Sequence, residues 1–355
     1  MKKIRVAVLP GDGIGMDVMN VCLPILKELP IEVETKIGDI GWKFWASEGN
    51  SVPDRTWKLI EDSDAVLVGA VTGDPRFVSP VIQLRQKLDL FANVRPIQGI
   101  KKGDDFDLYV IRENTEGLYA GYDFYPTPKG LIDFMASDDS GKPKKIKSTN
   151  TAVTIRLITL SGIERLLYFG FEWARVHGKD DVVIADKPNV FRNSSQLLYE
   201  SVKKIGLCYP EINWHIENVD AVAMWMVKSP EKFQVIIAEN QFGDILSDVG
   251  AAVMGGLGLA VSGNFGNDGI KYFEPVHGSA PKHAGKDEVN PAAMFLTIAM
   301  MLDTYGYSSE ANVIKTAVKF VVQDKTSSTY DLGGYNGTKK MATTIIERVK
   351  EYYEK

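Results

Sequence analysis

AENQFGDILSD, residues 238–248, follows without a break on the apolar run Gln234-Val-Ile-Ile. Residues 234–238 are short, β-branched and apolar, which marks a buried strand. The run after it reads as a helix, on which Asp244 and Asp248 lie one turn apart and project from one face. Two like charges at that spacing repel, so the helix gains nothing structural from the pair. A hard divalent cation such as Mg²⁺ or Mn²⁺ reverses the sign of that interaction, because such ions prefer carboxylate and water oxygens. A solvated helix face is the plainer alternative, and the company these residues keep elsewhere decides between them.

Working outward, the elements alternate. Residues 4–9, 31–36, 65–70, 108–112, 181–185 and 211–217 read as further strands. Helices are expected over 16–29, 42–48, 57–62, 80–90, 159–175, 196–205 and 220–227, then from Asn290 to Thr304, with two more closing the chain. Such alternation argues for an α/β sheet with helices on both faces. Asn93-Val-Arg95-Pro96 begins an extended piece, since a residue before proline avoids the helical region. Residues 122–150 are rich in Gly, Pro, Lys and Asp and read as an excursion, a loop or small hairpin arm used for subunit contact. The first strand runs into Pro10-Gly-Asp-Gly-Ile-Gly15. Its glycines at 11, 13 and 15 miss the G-x-G-x-x-G spacing, which needs one at Met16, so a conventional Rossmann site is not expected.

At 355 residues the chain is long enough for two domains and a large core. A net charge of −5 argues against a broad basic surface for nucleic acid or anionic membrane, and the Lys144-Lys145-Ile146-Lys147 cluster is too short to change that. Two cysteines, Cys22 and Cys208, exclude a disulfide scaffold and point to a reducing compartment. No apolar run reaches the length of a membrane span, and the first residues read straight into a strand. A soluble, cytoplasmic setting is expected.

Seven segments carry more than composition does: LPGDGIG at 9–15, LRQKLDLFANVRP at 84–96, RENTEGLYAG at 112–121, DKPN at 186–189, VDAVAM at 219–224, NQFGDILSD at 240–248 and EPVHGSAPKHAG at 274–285. Together, in order and across essentially the whole chain, they resemble the β-decarboxylating dehydrogenases, the family of isocitrate, isopropylmalate, homoisocitrate and D-malate/tartrate dehydrogenases. The resemblance implies that family's two-domain α/β fold. A large cofactor-binding domain would be built from 1–96 plus 249–355, and a small substrate and dimerisation domain from 97–248, with 122–150 as a clasp.

It also implies a chemistry: a 2-hydroxy acid with a carboxylate on C3 loses a hydride to a nicotinamide, then CO₂, leaving an enolate to be protonated. Arg85, Arg95 and Arg112 match the family's three anchoring arginines, a role that suits guanidinium because it offers carboxylates a fixed, permanently charged fork. Asp244 and Asp248 match the metal-binding pair, and Asp220 the third ligand, contributed by the partner subunit. Lys187 resembles the residue that takes the hydroxyl proton, with Asp220 assisting, and Tyr119 the residue that protonates the enolate carbon. A solvated strand-end lysine and a packed tyrosine are the plain readings of these two. Because Lys187 also crosses between subunits in the family, a homodimer with shared sites is implied, higher oligomers being possible. A regulatory subunit without turnover would be expected to lose Tyr119, Lys187 or a metal aspartate, and all are present.

The implied cofactor site is the loop His277-Gly278-Ser279-Ala280 with Asn290, and Asn189 beside the nicotinamide. Members that use NAD usually carry an acid two places after Ala280. Here Lys282-His283 stands there, with Tyr330 downstream, which favours NADP through attraction to a 2′-phosphate. NAD remains open because Gly334 replaces a late arginine. Ser79 matches a serine that meets the distal carboxylate in isocitrate enzymes, but Val81 and Ile82 are apolar, and Ser79-Pro-Val-Ile-Gln-Leu-Arg85 looks closest to homoisocitrate members. Isocitrate leads on the NADP-like loop, homoisocitrate follows and isopropylmalate is third, since Val78 lacks the expected glutamate.

Overall fold

The structure is a computed structural model that describes residues 3–74, 76–100, 103–137 and 148–354. Its strands are β1 (Ile4–Leu9), β2 (Val33–Ile37), β3 (Ala65–Val68), β4 (Ala92–Gln98), β5 (Asp107–Glu113), β6 (Asp123–Phe124), β7 (Val153–Thr154), β8 (Asp181–Asp186), β9 (Asn213–Asn218), β10 (Val235–Ala238), β11 (Val261–Phe265) and β12 (Lys271–Pro275). Ten form one sheet in the order β2-β1-β3-β12-β11-β4-β5-β10-β8-β9, and β6 and β7 pair separately. The flanks of the sheet are parallel, whereas β12–β11, β11–β4 and β4–β5 are antiparallel. β3, β8 and β10 are buried almost throughout, as strands covered on both faces must be.

Two strands escape the sequence reading. β11 and β12 are carried by Val-Ser-Gly-Asn-Phe and Lys-Tyr-Phe-Glu-Pro, whose polar residues hide the apolar run that marks the other strands. Ser262 and Asn264 of β11 are nonetheless buried, Lys271 and Glu274 of β12 partly so, and the antiparallel pairs β11 makes sit at the middle of the sheet. Elsewhere the differences are at ends. The first helix runs over Ile14–Cys22 and tightens to a 3₁₀ turn at Leu23–Lys27, where Pro24 removes a backbone donor. The helix expected at 80–90 stops at Lys87, and Asp89 turns the chain with φ of 45°. Thr159 caps the helix Leu160–Val176 through its side chain rather than joining it.

The 122–150 excursion contains the β6–β7 hairpin's first strand and a helix, Lys129–Ser137, that the sequence did not signal. The Lys144–Lys147 cluster lies outside the described residues. Strand β4 ends at Gln98 and so crosses the domain boundary that the sequence places at residue 96. Cys22 is buried, Cys208 is exposed, and both are free. Among the described residues no helix is long and apolar enough to cross a membrane.

Candidate active site

The glycine loop after β1 is a platform. Its backbone at Gly11 and Gly13 lies so close to Ala70 and Ser279 that a Cβ would fall 2.1 and 2.2 Å from their carbonyl oxygens, and both positions have positive φ. Ile14 N–H donates to the Ser279 carbonyl at 2.9 Å, and the Thr72 and Ser279 hydroxyls are 2.9 Å apart. Asp12 accepts from the backbone N–H of Trp42 and Thr72. LPGDGIG therefore fixes the 277–280 loop in place. Within that loop Ala280 holds a φ of 33°, a conformation rare outside glycine. The His277 ring donates from Nδ1 to the Gly278 carbonyl, its Nε2 is buried without a partner, and burial holds its pKa below the ordinary value.

The antiparallel centre of the sheet gathers the arginines. Arg95 on β4 and Arg112 on β5 point to the side covered by the helix Asn240–Met254, and Arg85 comes from the last turn of Pro80–Lys87. Arg112 pairs with Asp244, and its Nε and Nη2 both donate to Asn240 Oδ1, at 3.0 and 2.7 Å. Arg95 reaches Asp248 at 3.1 Å, Asp244 at 3.4 Å and Ser247 Oγ at 2.7 Å. Arg85 Nη2 donates to Glu274 at 3.2 Å and its Nε to the Tyr272 hydroxyl at 3.3 Å. Burial, and then repulsion between neighbouring guanidinium groups, holds Arg112 below the usual arginine range, and burial does the same to Arg95. The cluster thus sets three largely buried guanidinium groups against Asp244, Asp248 and Glu274, with Asp244 shared between two of them.

Tyr119 stands over it. Its hydroxyl donates to Asp244 Oδ2 at 2.7 Å, and Arg112 lies 5.1 Å from its ring centroid. Burial, reinforced by that bond to a carboxylate, raises its pKa above the ordinary tyrosine value. Lys187, at the end of β8, pairs with Asp220 at the start of Val219–Lys228, and that bond depresses the pKa of the exposed carboxyl. This pair makes no hydrogen bond or ion pair, among the described residues, with the arginine cluster of its own chain. Among the described residues no three His, Cys, Asp or Glu side chains gather closely enough to hold a metal. Asp244 and Asp248 supply two hard oxygen donors on one helix face, the donor type that suits a divalent cation.

The remaining residues fall as follows. Ser79 is the N-cap of Pro80–Lys87 but makes no side-chain cap bond, and Val78 and Ile82 beside it are exposed. Asn189 is exposed in the turn after Lys187. Asn290 is buried; its Oδ1 accepts from the Ala292 N–H at 2.9 Å and its Nδ2 donates to Asp331 at 3.0 Å, next to the exposed Tyr330. Lys282 is exposed, whereas His283 Nδ1 is bonded to Glu288 at 2.8 Å, which places an acid beside the expected phosphate-facing pair. Sequence reasoning missed Asn93, Asn240, Ser247 and Glu274. Each lies inside a quoted motif, but nothing in spacing distinguishes an amide that orients an arginine from one that caps a turn.

A family model described as isocitrate/isopropylmalate dehydrogenase matches residues 5–349. Protein DlpA of Legionella pneumophila is 49% identical over 97% of this chain, and this chain spans only 58% of DlpA's length. The 3-isopropylmalate dehydrogenase of Methanothermobacter thermautotrophicus is 36% identical, over 99% of this chain and 100% of that one. The crystal structure of isocitrate dehydrogenase from Methylococcus capsulatus superposes with a TM-score of 0.86 at 35% identity, over 98% and 99% of the two chains. On the match of the family model, of relatives along the whole chain and of the solved structure, the chain belongs to the β-decarboxylating, isocitrate/isopropylmalate dehydrogenase family.

Proposed function

We propose that this protein oxidatively decarboxylates a 2-hydroxy-3-carboxy acid, most readily isocitrate to 2-oxoglutarate, using NADP and a divalent metal. The observation that carries the reading is the pairing of Arg95 and Arg112 with Asp244, with Tyr119 bonded to its other oxygen and Arg85 held nearby on Glu274. The arginines bind and orient the substrate carboxylates; the backbone of Arg95 and Arg112 is set by buried strands and that of Arg85 by the last turn of Pro80–Lys87, so little ordering is left for the moment of binding. Lys187, positioned by Asp220, takes the proton of the substrate hydroxyl, and Tyr119 delivers a proton to carbon after CO₂ departs. Asp244 and Asp248, with Asp220 from a second copy, would hold Mg²⁺ or Mn²⁺, which when bound polarises the reacting oxygen and offsets the charge that develops there. The His277–Ala280 loop, Asn189, Asn290, Lys282, His283 and Tyr330 would seat NADP, which accepts the hydride.

A homodimer supports this division of labour. Met224, Val227 and Ile245 are exposed apolar residues on the neighbouring helices Val219–Lys228 and Asn240–Met254, the elements that carry Asp220, Asp244 and Asp248. Two lobes, 1–96 with 249–355 and 97–248, would move about the central antiparallel strands.

A second substrate has its own support. Val78 and Ile82 expose apolar surface beside Ser79, which suits the longer chain of homoisocitrate. Initial rates with isocitrate, homoisocitrate, 3-isopropylmalate and D-malate, each with NAD or NADP and Mg²⁺ or Mn²⁺, separate these readings. The highest kcat/KM is expected for isocitrate with NADP, and no turnover without metal. A win for isopropylmalate would overturn the role given to Ser79. Lys282→Asp is expected to lower the NADP/NAD ratio of kcat/KM by roughly ten-fold or more, through repulsion of the 2′-phosphate. An unchanged ratio would remove Lys282 from the cofactor site.

A further inference from the structure

Two of the three anchoring arginines carry like charges into a nearly dry interior, with side chains 13% and 10% exposed. Between them runs a chain of buried amides. Arg95 Nε donates to Asn93 Oδ1 at 3.0 Å, and Asn93 Nδ2 donates to Asn264 Oδ1 at 2.8 Å and to Ser262 Oγ at 2.9 Å. Asn264 Nδ2 continues to Glu274 Oε1 at 3.4 Å, the oxygen that accepts from the Tyr272 hydroxyl at 2.6 Å and from Arg85 at 3.2 Å. Asn93 and Asn264 are fully buried and face each other across the β4–β11 pair.

The direction of the chain is dictated at both ends. Guanidinium can only donate and a carboxylate only accept, so each amide has one permitted orientation. A polar path of this kind in a dry interior is either fully satisfied or costly. We propose that Asn264 is a positioning residue which, through Asn93 and Glu274, keeps Arg95 and Arg85 in register for the two ends of the substrate. Neither asparagine touches substrate in this role. The path also reaches the first residue of EPVHGSAPKHAG, so the same bonds tie the arginine cradle to the root of the cofactor loop. This inference rests on the proposed binding of a polycarboxylate by the arginines.

Two substitutions in the full-length protein test it between pH 7 and 9. Asn264→Ala removes the amide limb of the relay, leaving only the longer contact from Ser262 Oγ to Glu274 at 3.5 Å, and is expected to raise KM for the best hydroxy acid about ten-fold at every pH, with kcat within about two-fold. Asn264→Asp keeps the shape. Burial beside Glu274 favours the protonated acid, which donates as the amide does, so KM is expected near the wild-type value at pH 7. As the pH rises and the new carboxyl ionises, the donor is lost and KM should climb about ten-fold, while the wild-type KM changes far less. A merely structural role would lower Tm without this pH-dependent separation of KM from kcat. The Kd for isocitrate, measured by intrinsic fluorescence, needs no turnover and should follow KM. Wild-type KM and Kd in both variants at all pH values would overturn the relay. An enzyme that turns over none of the acids but binds isocitrate with an Asn264-dependent Kd would sink the proposed reaction and keep the relay; with no binding, both fall.

Discussion

Asp244→Asn is expected to lower kcat/KM by a factor of about a thousand or more, the scale of losing a metal or electrostatic anchor from an active site. Asp244 is the hub: Arg112, Arg95 and Tyr119 all converge on its two oxygens. An amide oxygen can still accept from Tyr119, so the variant should fold and Tyr119 should stay in place. What disappears is the negative charge that both balances two buried arginines and suits a hard cation. Loss of Mg²⁺ protection against thermal unfolding, measured alongside the rate, checks the metal role apart from catalysis. A variant within ten-fold of wild type would show that the aspartate is only a counter-ion. The same variant tests the shared site. Lys187→Met should also be inactive alone, but dimers re-formed from an equal mixture place one intact Asp244 opposite one intact Lys187. Half of the dimers would be mixed, each with one good site, so recovery of about a quarter of wild-type activity is expected. No recovery would confine each site to one chain.

Tyr119→Phe is expected to reduce kcat by about a hundred- to ten-thousand-fold, the range for removing a positioned proton donor. Tyr119 is half exposed and its ring would be kept, so Tm should hardly change. Its pKa is raised, by burial and by the bond to Asp244. The sign follows: the phenol is needed protonated, the raised pKa extends the protonated range, and Tyr119 should therefore impose no alkaline loss of kcat until above its ordinary value near 10. A wild-type alkaline limb entering at pH 8 would belong to another group. If the phenylalanine variant kept full kcat, protonation at carbon would have to come from elsewhere.

Much of this was legible along the chain. Buried strands such as β8 and β10 announce themselves because two covered faces demand an unbroken apolar run. The candidate residues were legible for a different reason. The arginines, the aspartates, Lys187 and Tyr119 stand in the segments that match, in order, the motifs of the family the chain resembles, and they match those motifs residue by residue. β11 and β12 were not legible, because strands whose buried residues hydrogen-bond to each other look like loops when read one at a time.

By itself, then, the sequence determined the α/β class and the identity of the charged side chains, since periodicity and residue chemistry are local properties, while the family came from the resemblance of its seven segments. Only the tertiary structure decided what those side chains meet. It set Asp244 between two arginines and a tyrosine and put Glu288 against His283. It also paired Lys187 with Asp220, and joined Arg95 to Arg85 through asparagines far apart in sequence. Those contacts depend on the crossing of antiparallel strands at the centre of the sheet. No spacing along one segment encodes a hydrogen bond whose partner arrives on a strand some 170 residues later.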